Sequence, residues 1–257
     1  MAIKISDILK ALNEADVRYL IVGGVAVNLH GHVRFTKDLD LIFAFDEENL
    51  RRAMKILADI HFSLLLPIDI FDFANSDLRK QWIDEKGMVV FQLIDRVQID
   101  RQINVFVDEP IPFERMYQNR ENAALGGTNA PIASIEHLIE MKTIAGRPQD
   151  ISDIQKLRFL QMRNSREKKE DYMPIPSFES LNPWEKADYL ALEFYVNNST
   201  PEQRLQWLED AHDFALEVAY ERHSRGLVTI DDEGNIWPRT LALASSSSGL
   251  AACSDHI

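Results

Sequence analysis

The spacing of hydrophobic and polar positions changes several times along the chain, and each change predicts a new element. Apolar residues at helical spacing over residues 5–12 predict a first helix, and the continuous apolar run Tyr19–Val22 predicts a buried strand. A Gly-Gly pair separates this strand from a short predicted helix over residues 25–30, which ends at Gly31. A second apolar strand begins with Asp38-Leu39-Asp40-Leu41. The chain therefore opens with strand, turn, helix and strand in close succession.

Strands and helices continue to alternate as far as residue 160. The pattern predicts helices over residues 46–61, 69–85, 113–118 and 134–146, with Asp150 as the cap of the next one, and strands over residues 62–66, 88–93, 97–107, 123–125 and 130–133. Alternation of this kind is typical of an α/β or a mixed α+β domain.

The composition changes at residues 163–176, which are highly charged and end in prolines, and this predicts a domain boundary. We expect a first domain over residues 1–164, a linker over 165–180, a helical hairpin domain over 181–226 and a flexible tail over 227–257. The first helix of the hairpin carries an apolar face of Ala187, Leu190, Ala191 and Phe194. Trp207 and Phe214, on the second helix, are expected to be core or domain-interface residues rather than a base-stacking platform.

Composition excludes several classes of protein. The 257 residues are 46% hydrophobic but contain no run of eighteen apolar residues, and the first helix lacks the features of a signal peptide, so we expect a cytoplasmic protein with no membrane segment. The single cysteine excludes an internal disulfide. The net charge of −13 argues against a broad basic surface for nucleic acid, although a local basic strip remains compatible with it.

The chemistry of the chain is concentrated in the Gly-Gly turn and the acidic strand. Gly23 and Gly24 stand at a strand-to-helix junction, where backbone N–H groups and the helix dipole favour a phosphate. Asp38 and Asp40 share one face of a strand that is otherwise apolar, so their repulsion and lost hydration require a compensating positive charge. A divalent cation such as Mg²⁺, bound by carboxylates and substrate phosphates, is the natural candidate.

The two halves together, in GGVAVNLHGHVRFTKDLDL, resemble the motif of the DNA polymerase β-like nucleotidyltransferases. Within that group, the segment is most similar to the minimal nucleotidyltransferases related to the abortive-infection E type II toxins of bacterial toxin–antitoxin systems. The resemblance implies an α+β fold with a mixed sheet flanked by helices, followed by a small C-terminal helical domain. It also implies Mg²⁺ as cofactor, with Mn²⁺ as an alternative.

The resemblance assigns roles to individual residues. It implies catalytic roles for Asp38, Asp40 and Lys142, metal ligation by Asp38, Asp40 and Asn104, and nucleotide binding by Gly23, Gly24, Arg34, Thr36, Lys142 and Asp150. Arg34 is equally well interpreted as a solvated loop charge. On spacing alone, Lys142 and Asp150 are ordinary charges near the end of one helix and the start of the next.

Asn104 departs from the family pattern. Counted back from residues 110–114 (PIPFE), it occupies the position where relatives carry a third metal carboxylate. An amide oxygen can bind a cation weakly but brings no negative charge. Asp100 lies on the same strand face, roughly 13 Å further along, and replaces Asn104 only if the strand register is different.

These observations predict an enzyme that transfers a nucleoside monophosphate from a nucleoside triphosphate (NTP) to an acceptor hydroxyl. RNA, a protein or a small molecule is open as the acceptor, and a toxin-like protein of this kind would have an antitoxin partner. The alternative is a non-catalytic nucleotide-binding or partner-binding module whose metal site has degenerated at Asn104.

Overall fold

A computed structural model describes residues 3–36, 38–64, 68–97, 101–125, 127–168, 180–224, 228–230 and 236–238. Its α-helices are α1 (Ile5–Glu14), α2 (Gly23–His30), α3 (Glu47–Asp59), α4 (Ser76–Lys86), α5 (Phe113–Gln118), α6 (Ile135–Ala145), α7 (Pro148–Lys168), α8 (Pro183–Asn197) and α9 (Pro201–Ser224). Its strands are β1 (Tyr19–Val22), β2 (Asp38–Phe43), β3 (Phe62–Ser63), β4 (Val90–Asp95), β5 (Gln102–Phe106), β6 (Glu121–Leu125), β7 (Thr128–Ile132), β8 (Val228–Ile230) and β9 (Ile236–Pro238).

Strands β1 to β7 form one mixed sheet in the order β3-β4-β5-β2-β1-β7-β6. The pairs β1–β7 and β2–β5 are parallel, and the other neighbours are antiparallel. This mixed sheet with its helices confirms the expected α+β class. Strands β8 and β9 form a separate antiparallel pair.

The central strands β1, β2 and β5 determine where the acidic strand, β2, begins. All four residues of β1 are buried, as expected for a strand covered on both faces. Val22, the last residue of β1, lies opposite Asp40, and Asp38 lies opposite Gln102, the first residue of β5. The end of β1 and the beginnings of β2 and β5 therefore meet at one edge of the sheet.

The chain divides into two compact units, residues 1–209 and 210–257. The core of the first unit extends beyond the sheet and includes Tyr189 and Leu192 of α8 and Leu205 and Leu208 of α9. The second unit contains the remainder of α9 and the β8–β9 pair. The domain boundary expected within residues 165–180 stays a prediction, since residues 169–179 lie outside the described chain.

Several element predictions need correction. Residues 69–85 do not form one helix: a 3₁₀ helix (Ile70–Ala74) precedes α4, because the Asn75 side chain accepts hydrogen bonds from the N–H groups of Asp77 and Leu78 and starts a new helix there. The strands predicted over 88–93 and 97–107 are shifted or shorter, as β4 and β5. Residues 65–67 and 98–100, where two predicted strands were extended further, lie outside the described residues.

The apolar face predicted for α8 is also wrong. Its four residues are exposed, with Phe194 71% exposed, whereas Tyr189 and Leu192 are buried. Trp207 and Phe214 are 43% and 67% exposed, so neither is a core residue. Both β8 and β9 fall in the stretch expected to be a tail. Within the described chain, no helix combines the length and hydrophobicity needed to cross a bilayer.

Candidate functional site

The candidate site is built around the acidic strand β2 at the edge where β1, β2 and β5 meet. Asp38 and Asp40 are both half-buried, while Leu39 between them is buried on the opposite face. The parallel register pairs Asp40 with Asn104, and the Asn104 side-chain amide Nδ2 donates a hydrogen bond of 3.1 Å to Asp40 Oδ1. The position counted from residues 110–114 is therefore beside the acidic strand.

The two glycines make room for the side chains of this site. Gly23 has φ +61°, and a Cβ built on it would overlap Asp40 Oδ2. A Cβ on Gly24 would lie 2.8 Å from Thr36 Cβ and would overlap Thr36 Oγ1. The Gly24 backbone N–H, in the first turn of α2, donates to the Asp40 carboxylate. The Gly-Gly turn thus places a helix N-terminus directly beside the acidic strand.

Asp40 is electrostatically the most perturbed carboxylate of this edge. Burial raises its pKa from 3.8 to about 6, and repulsion by Asp38 acts in the same direction. Hydrogen bonds from Asn104 and Gly24, and the positive charge of Arg147, lower it by less. With a pKa of about 6, Asp40 is ionised at neutral pH, but its surroundings offer too little positive charge to offset the cost of burying the carboxylate.

Asn104 has one polar atom that the described residues leave unsatisfied. Its Oδ1 is buried and has no hydrogen-bond partner among them, while Nδ2 is occupied by Asp40. A buried amide oxygen without a partner normally costs stability, which makes it a candidate ligand atom. Asp100, the alternative third ligand, lies outside the described residues.

A second group of charges lies at the junction of α6 and α7. It consists of Arg34, Asp153, Lys142, Asp150 and Arg147, each paired with the next, and we call it the ion-pair chain. Its three cations and two anions leave one net positive charge. Because it forms only when the loop before β2 meets α6 and α7, no local pattern in the sequence predicts it.

The middle of the ion-pair chain is buried. Lys142 Nζ donates to Asp153 Oδ2 at 2.6 Å and to Asp150 Oδ1 at 3.1 Å, and its side chain is only 6% exposed. Both aspartates are also buried. Lys142 is therefore held between two carboxylates.

The two ends of the ion-pair chain are arginines that solvent can reach. Arg34 binds Asp153 through two hydrogen bonds of 2.9 Å each. Arg147 Nε donates to Asp150 Oδ2 at 2.8 Å, and its side chain is 73% exposed. The hydrogen bond with Asp150 is the largest influence on the pKa of Arg147 and raises it, and the negative charge of Asp40 raises it further by a smaller amount. Arg147 thus adds an exposed cation close to the acidic strand, and sequence analysis did not assign it to the site.

Asp150 does not cap α7 as expected. The helix begins at Pro148, so Asp150 lies inside its first turn, where its carboxylate accepts a hydrogen bond of 3.2 Å from the Arg147 backbone N–H. Burial raises the pKa of Asp150, but hydrogen bonds from Arg147 and Lys142 outweigh it and lower the pKa overall. The Asp150 carboxylate is thus ionised and holds Arg147 in place.

Arg204 of α9 contacts the last turn of α2, and sequence analysis did not identify this residue. It is buried, and its guanidinium donates to the carbonyl oxygen of Leu29, in the last turn of α2, at 2.8 Å. A cation at this end of a helix also interacts favourably with the helix dipole. The same guanidinium donates to the Ser199 carbonyl at 2.9 Å, so the α8–α9 turn and the Gly-Gly helix are tied together.

Comparison with known structures, curated proteins and families gives four findings. A crystal structure of ANT(2″)-Ia in complex with adenylyl-2″-tobramycin is similar at 15% identity, covering 81% of this chain and 94% of that one, with a TM-score of 0.34. A solution structure of the antibiotic-resistance factor ANT(2″)-Ia is similar at 14% identity, covering 85% and 94%, with a TM-score of 0.33. No curated protein matches significantly.

The fourth finding concerns the family. A family model described as a nucleotidyltransferase of unknown function (DUF6036) matches residues 3–167, which is more than half of the chain. The match covers the sheet, the acidic strand and the ion-pair chain. The protein therefore belongs to this nucleotidyltransferase family.

Proposed function

We propose that the protein transfers a nucleoside monophosphate from an NTP to an acceptor hydroxyl in a Mg²⁺-dependent reaction, with Mn²⁺ as an alternative cation. The observation that carries this proposal is the meeting of Asp38, Asp40 and Asn104 beside the N-terminus of α2. Oxygen ligands and free helix N–H groups at one sheet edge suit a cation and a phosphate group together.

The residues present fit a hard divalent cation. Asp38 and Asp40 supply carboxylates, and the buried Asn104 Oδ1 is available as a neutral oxygen. The described residues contain no cluster of three or more His, Cys, Asp or Glu suited to a metal. In this proposal, substrate phosphates complete the ligand set, as is usual for Mg²⁺. When bound, such a cation neutralises charge on the phosphates and on the departing pyrophosphate.

The ion-pair chain provides positive charge for the triphosphate. We assign phosphate contacts to Arg147, whose side chain is exposed, and to Arg34, whose side chain is partly exposed. Both are ends of the ion-pair chain, and guanidinium groups bind phosphate in a bidentate manner. Lys142 acts through them: its ammonium fixes Asp150 and Asp153, which hold the two arginines. Lys142 and Asp150 are thus positioning residues in this proposal, a change from the direct contact that the resemblance implied.

In the reaction, the acceptor hydroxyl attacks the α-phosphorus in line with the departing pyrophosphate. The chain contributes orientation and fixed charges rather than a covalent intermediate. Gly23 and Gly24, with the first turn of α2, face the triphosphate, and Thr36 fixes the approach of the loop to the acidic strand.

The proposal also includes the chemical class of the acceptor, the partner and the location of the protein. The resemblance to abortive-infection E toxins favours RNA or a protein as acceptor, an antitoxin as partner and a cytoplasmic location. The net charge of −13 favours a small contact with RNA over an extended one.

The test is label transfer. Each α-labelled NTP is incubated with the protein and Mg²⁺ in the presence of total RNA, lysate protein or small hydroxylated molecules. Transfer of label to one of these fractions, lost in Asp38→Ala and Asp40→Ala, is the expected result. It also identifies the acceptor class.

A non-catalytic nucleotide-binding module is the second candidate, and the observation behind it is the amide of Asn104 in place of a carboxylate. Calorimetry with ATP, GTP, CTP and UTP, with and without Mg²⁺, separates the two. Mg²⁺-dependent binding without transfer to any fraction supports the second candidate. Absence of binding to all four nucleotides contradicts both.

A further inference from the structure

Two glutamines lie beside the candidate site, on the neighbouring strands β5 and β4. Gln102 is half-buried and pairs with Asp38 of the acidic strand, whereas Gln92 is exposed and pairs with Asn104. Because residues in register share one face of a sheet, both glutamines lie on the face that carries the two aspartates. Gln92 Nε2 donates a hydrogen bond of 3.0 Å to Gln102 Oε1, and we call the two residues the amide pair.

The amide pair has hydrogen-bonding groups that the protein does not use. Two glutamine side chains carry two carbonyl oxygens and four N–H groups, and their mutual bond uses one of each kind. No other described residue bonds to the remaining oxygen and the three remaining N–H groups. A hydroxyl both donates and accepts a hydrogen bond, so a group with two neighbouring hydroxyls is complementary to this set.

The two oxygens of Asp40 mark the two sides of the candidate site. A Cβ built on Gly23 would overlap Oδ2, whereas Oδ1 accepts the hydrogen bond from Asn104 of β5. With the triphosphate on the Gly23 side, an attacking hydroxyl has to approach from the side opposite to the departing pyrophosphate, because attacking and leaving oxygens lie in line. In the order of the sheet, β5 and then β4 lie on that opposite side of β2.

The amide pair is close enough to the acidic strand to hold such an acceptor. Neighbouring strands are about 4.8 Å apart, so the Gln102 backbone lies one strand spacing from Asp38. The Gln92 backbone lies two spacings, roughly 10 Å, from Asp40, and its side chain extends toward Gln102. A group the size of one sugar ring, bound to the amide pair, therefore lies against the acidic strand.

The charge of this part of the sheet face restricts the class of acceptor. Within the described strands β4 and β5, the side chains on this face are all uncharged: Val90, Gln92, Ile94, Gln102, Asn104 and Phe106. A charged group that lost water here would find no opposite charge on these two strands, whereas a neutral hydroxyl group needs only hydrogen bonds. The face therefore favours a neutral, hydroxylated group.

We propose that the amide pair positions the acceptor, and that the acceptor presents a neutral group with neighbouring hydroxyls, such as a sugar ring. The inference rests on the proposed function, because it takes the position of the triphosphate from it. One hydroxyl binds the amide pair and its neighbour attacks. The attacking oxygen forms a bond to the α-phosphorus, the bond to pyrophosphate breaks, and the hydroxyl proton passes to solvent.

The first experiment measures label transfer by Gln92→Ala and Gln102→Ala to the acceptor fraction that the wild type labels. Gln81→Ala, which removes an exposed glutamine of α4 that bonds Glu85, is the matched control. Each amide-pair variant is expected to raise the apparent KM of the acceptor roughly 3- to 10-fold, and to lower kcat less, because it removes neutral hydrogen bonds. The affinity for Mg²⁺–NTP in calorimetry is expected to stay unchanged, and Gln81→Ala is expected to behave as the wild type.

The second experiment tests the chemical class of the acceptor. Periodate cleaves the bond between carbons that carry neighbouring hydroxyls. Treating the total RNA and the small-molecule fraction with periodate beforehand is therefore expected to abolish label transfer to either one, and the untreated fraction that accepts label identifies the source of the group. Transfer that survives periodate, or label found only on serine, threonine or tyrosine of lysate protein, overturns the assigned class.

The outcomes separate this inference from the proposed function. If the wild type transfers label and both amide-pair variants keep its acceptor KM, the role of the pair is overturned and the proposed function stands. A loss of Mg²⁺–NTP affinity equal to the rise in acceptor KM also overturns the role, because it shows a general disturbance of the site. A wild type that transfers no label to any fraction overturns the proposed function, and this inference with it.

Discussion

Replacing Asp40 by asparagine in metal-free buffer is expected to stabilise the protein, and increasingly so as the pH rises. Burial and Asp38 favour the protonated form of Asp40 in the folded state, with a pKa of about 6 against 3.8 in the unfolded chain. Well below pH 3.8 the carboxyl is protonated in both states and contributes nothing. Above pH 6 it is ionised in both states, and the full cost of burying its charge beside Asp38 then destabilises the folded state.

The structure sets the size of the effect. A pKa raised from 3.8 to about 6 corresponds to at most about 3 kcal/mol, at about 1.36 kcal/mol for each pH unit. Asparagine keeps the hydrogen bonds if the Asn104 amide turns over, because the Asn104 oxygen, which lacks a partner among the described residues, then accepts from the new side-chain NH₂. The oxygen of the new residue still accepts from Gly24.

The assay is urea unfolding in EDTA at several pH values between 4 and 8. The free energy of unfolding of Asp40→Asn minus that of the wild type is expected to rise from about 0.5 kcal/mol near pH 4 to about 3 kcal/mol above pH 7. Asp84→Asn, at an exposed position of α4, controls for removing one negative charge from the surface. A variant that is less stable than the wild type at every pH would show that Asp40 is a structural hydrogen-bonding residue, and the metal assignment would fail.

Three further results are expected. Asn104→Asp should raise the transfer rate in Mg²⁺ with little change in nucleotide affinity. It should also lower the free energy of unfolding in EDTA, because it replaces the hydrogen bond to Asp40 with a like charge. An unchanged rate in single-turnover assays would argue against Asn104 as third ligand. Lys142→Met should lower the free energy of unfolding by about 3 kcal/mol, since it leaves two buried carboxylates short of a cation. Weaker nucleotide binding at unchanged stability would instead make Lys142 a direct phosphate ligand. Gly24→Val should weaken nucleotide binding and also lower the melting temperature, because its side chain would overlap Thr36; unchanged affinity in calorimetry would make the turn purely structural.

Local pattern was enough to predict the centre of the fold. The run Tyr19–Val22 and the short helix over residues 113–118 have the predicted bounds. The apolar run stops at the Gly-Gly turn, and the helix starts directly after Pro112. The order of such elements left an α/β and an α+β domain open, and the family resemblance selected the α+β class. On α8, however, two different stripes of apolar residues were available, and only packing against the core selected Tyr189 and Leu192.

The surroundings of the acidic strand were harder to predict than the strand itself. Asp38 and Asp40 are visible in the sequence because two carboxylates interrupt an apolar run. The contacts of Lys142 and Arg204 join segments that are separated in the chain, and the local pattern of one sequence does not predict which separated segments come into contact. Lys142 in particular looks like an ordinary charge near the end of α6.

The hydrogen bond from the Arg204 guanidinium to a carbonyl oxygen in the last turn of α2 limits where the chain can be truncated. The family match ends at residue 167, yet the residue that secures the rear of the Gly-Gly helix comes 37 positions later. Gly31, just behind that helix, has space for no side chain because Val196 of α8 fills it. A fragment limited to residues 3–167 would thus lose the Arg204 contact that supports the helix of the Gly-Gly motif. The smallest autonomous version of this enzyme has to reach at least into α9.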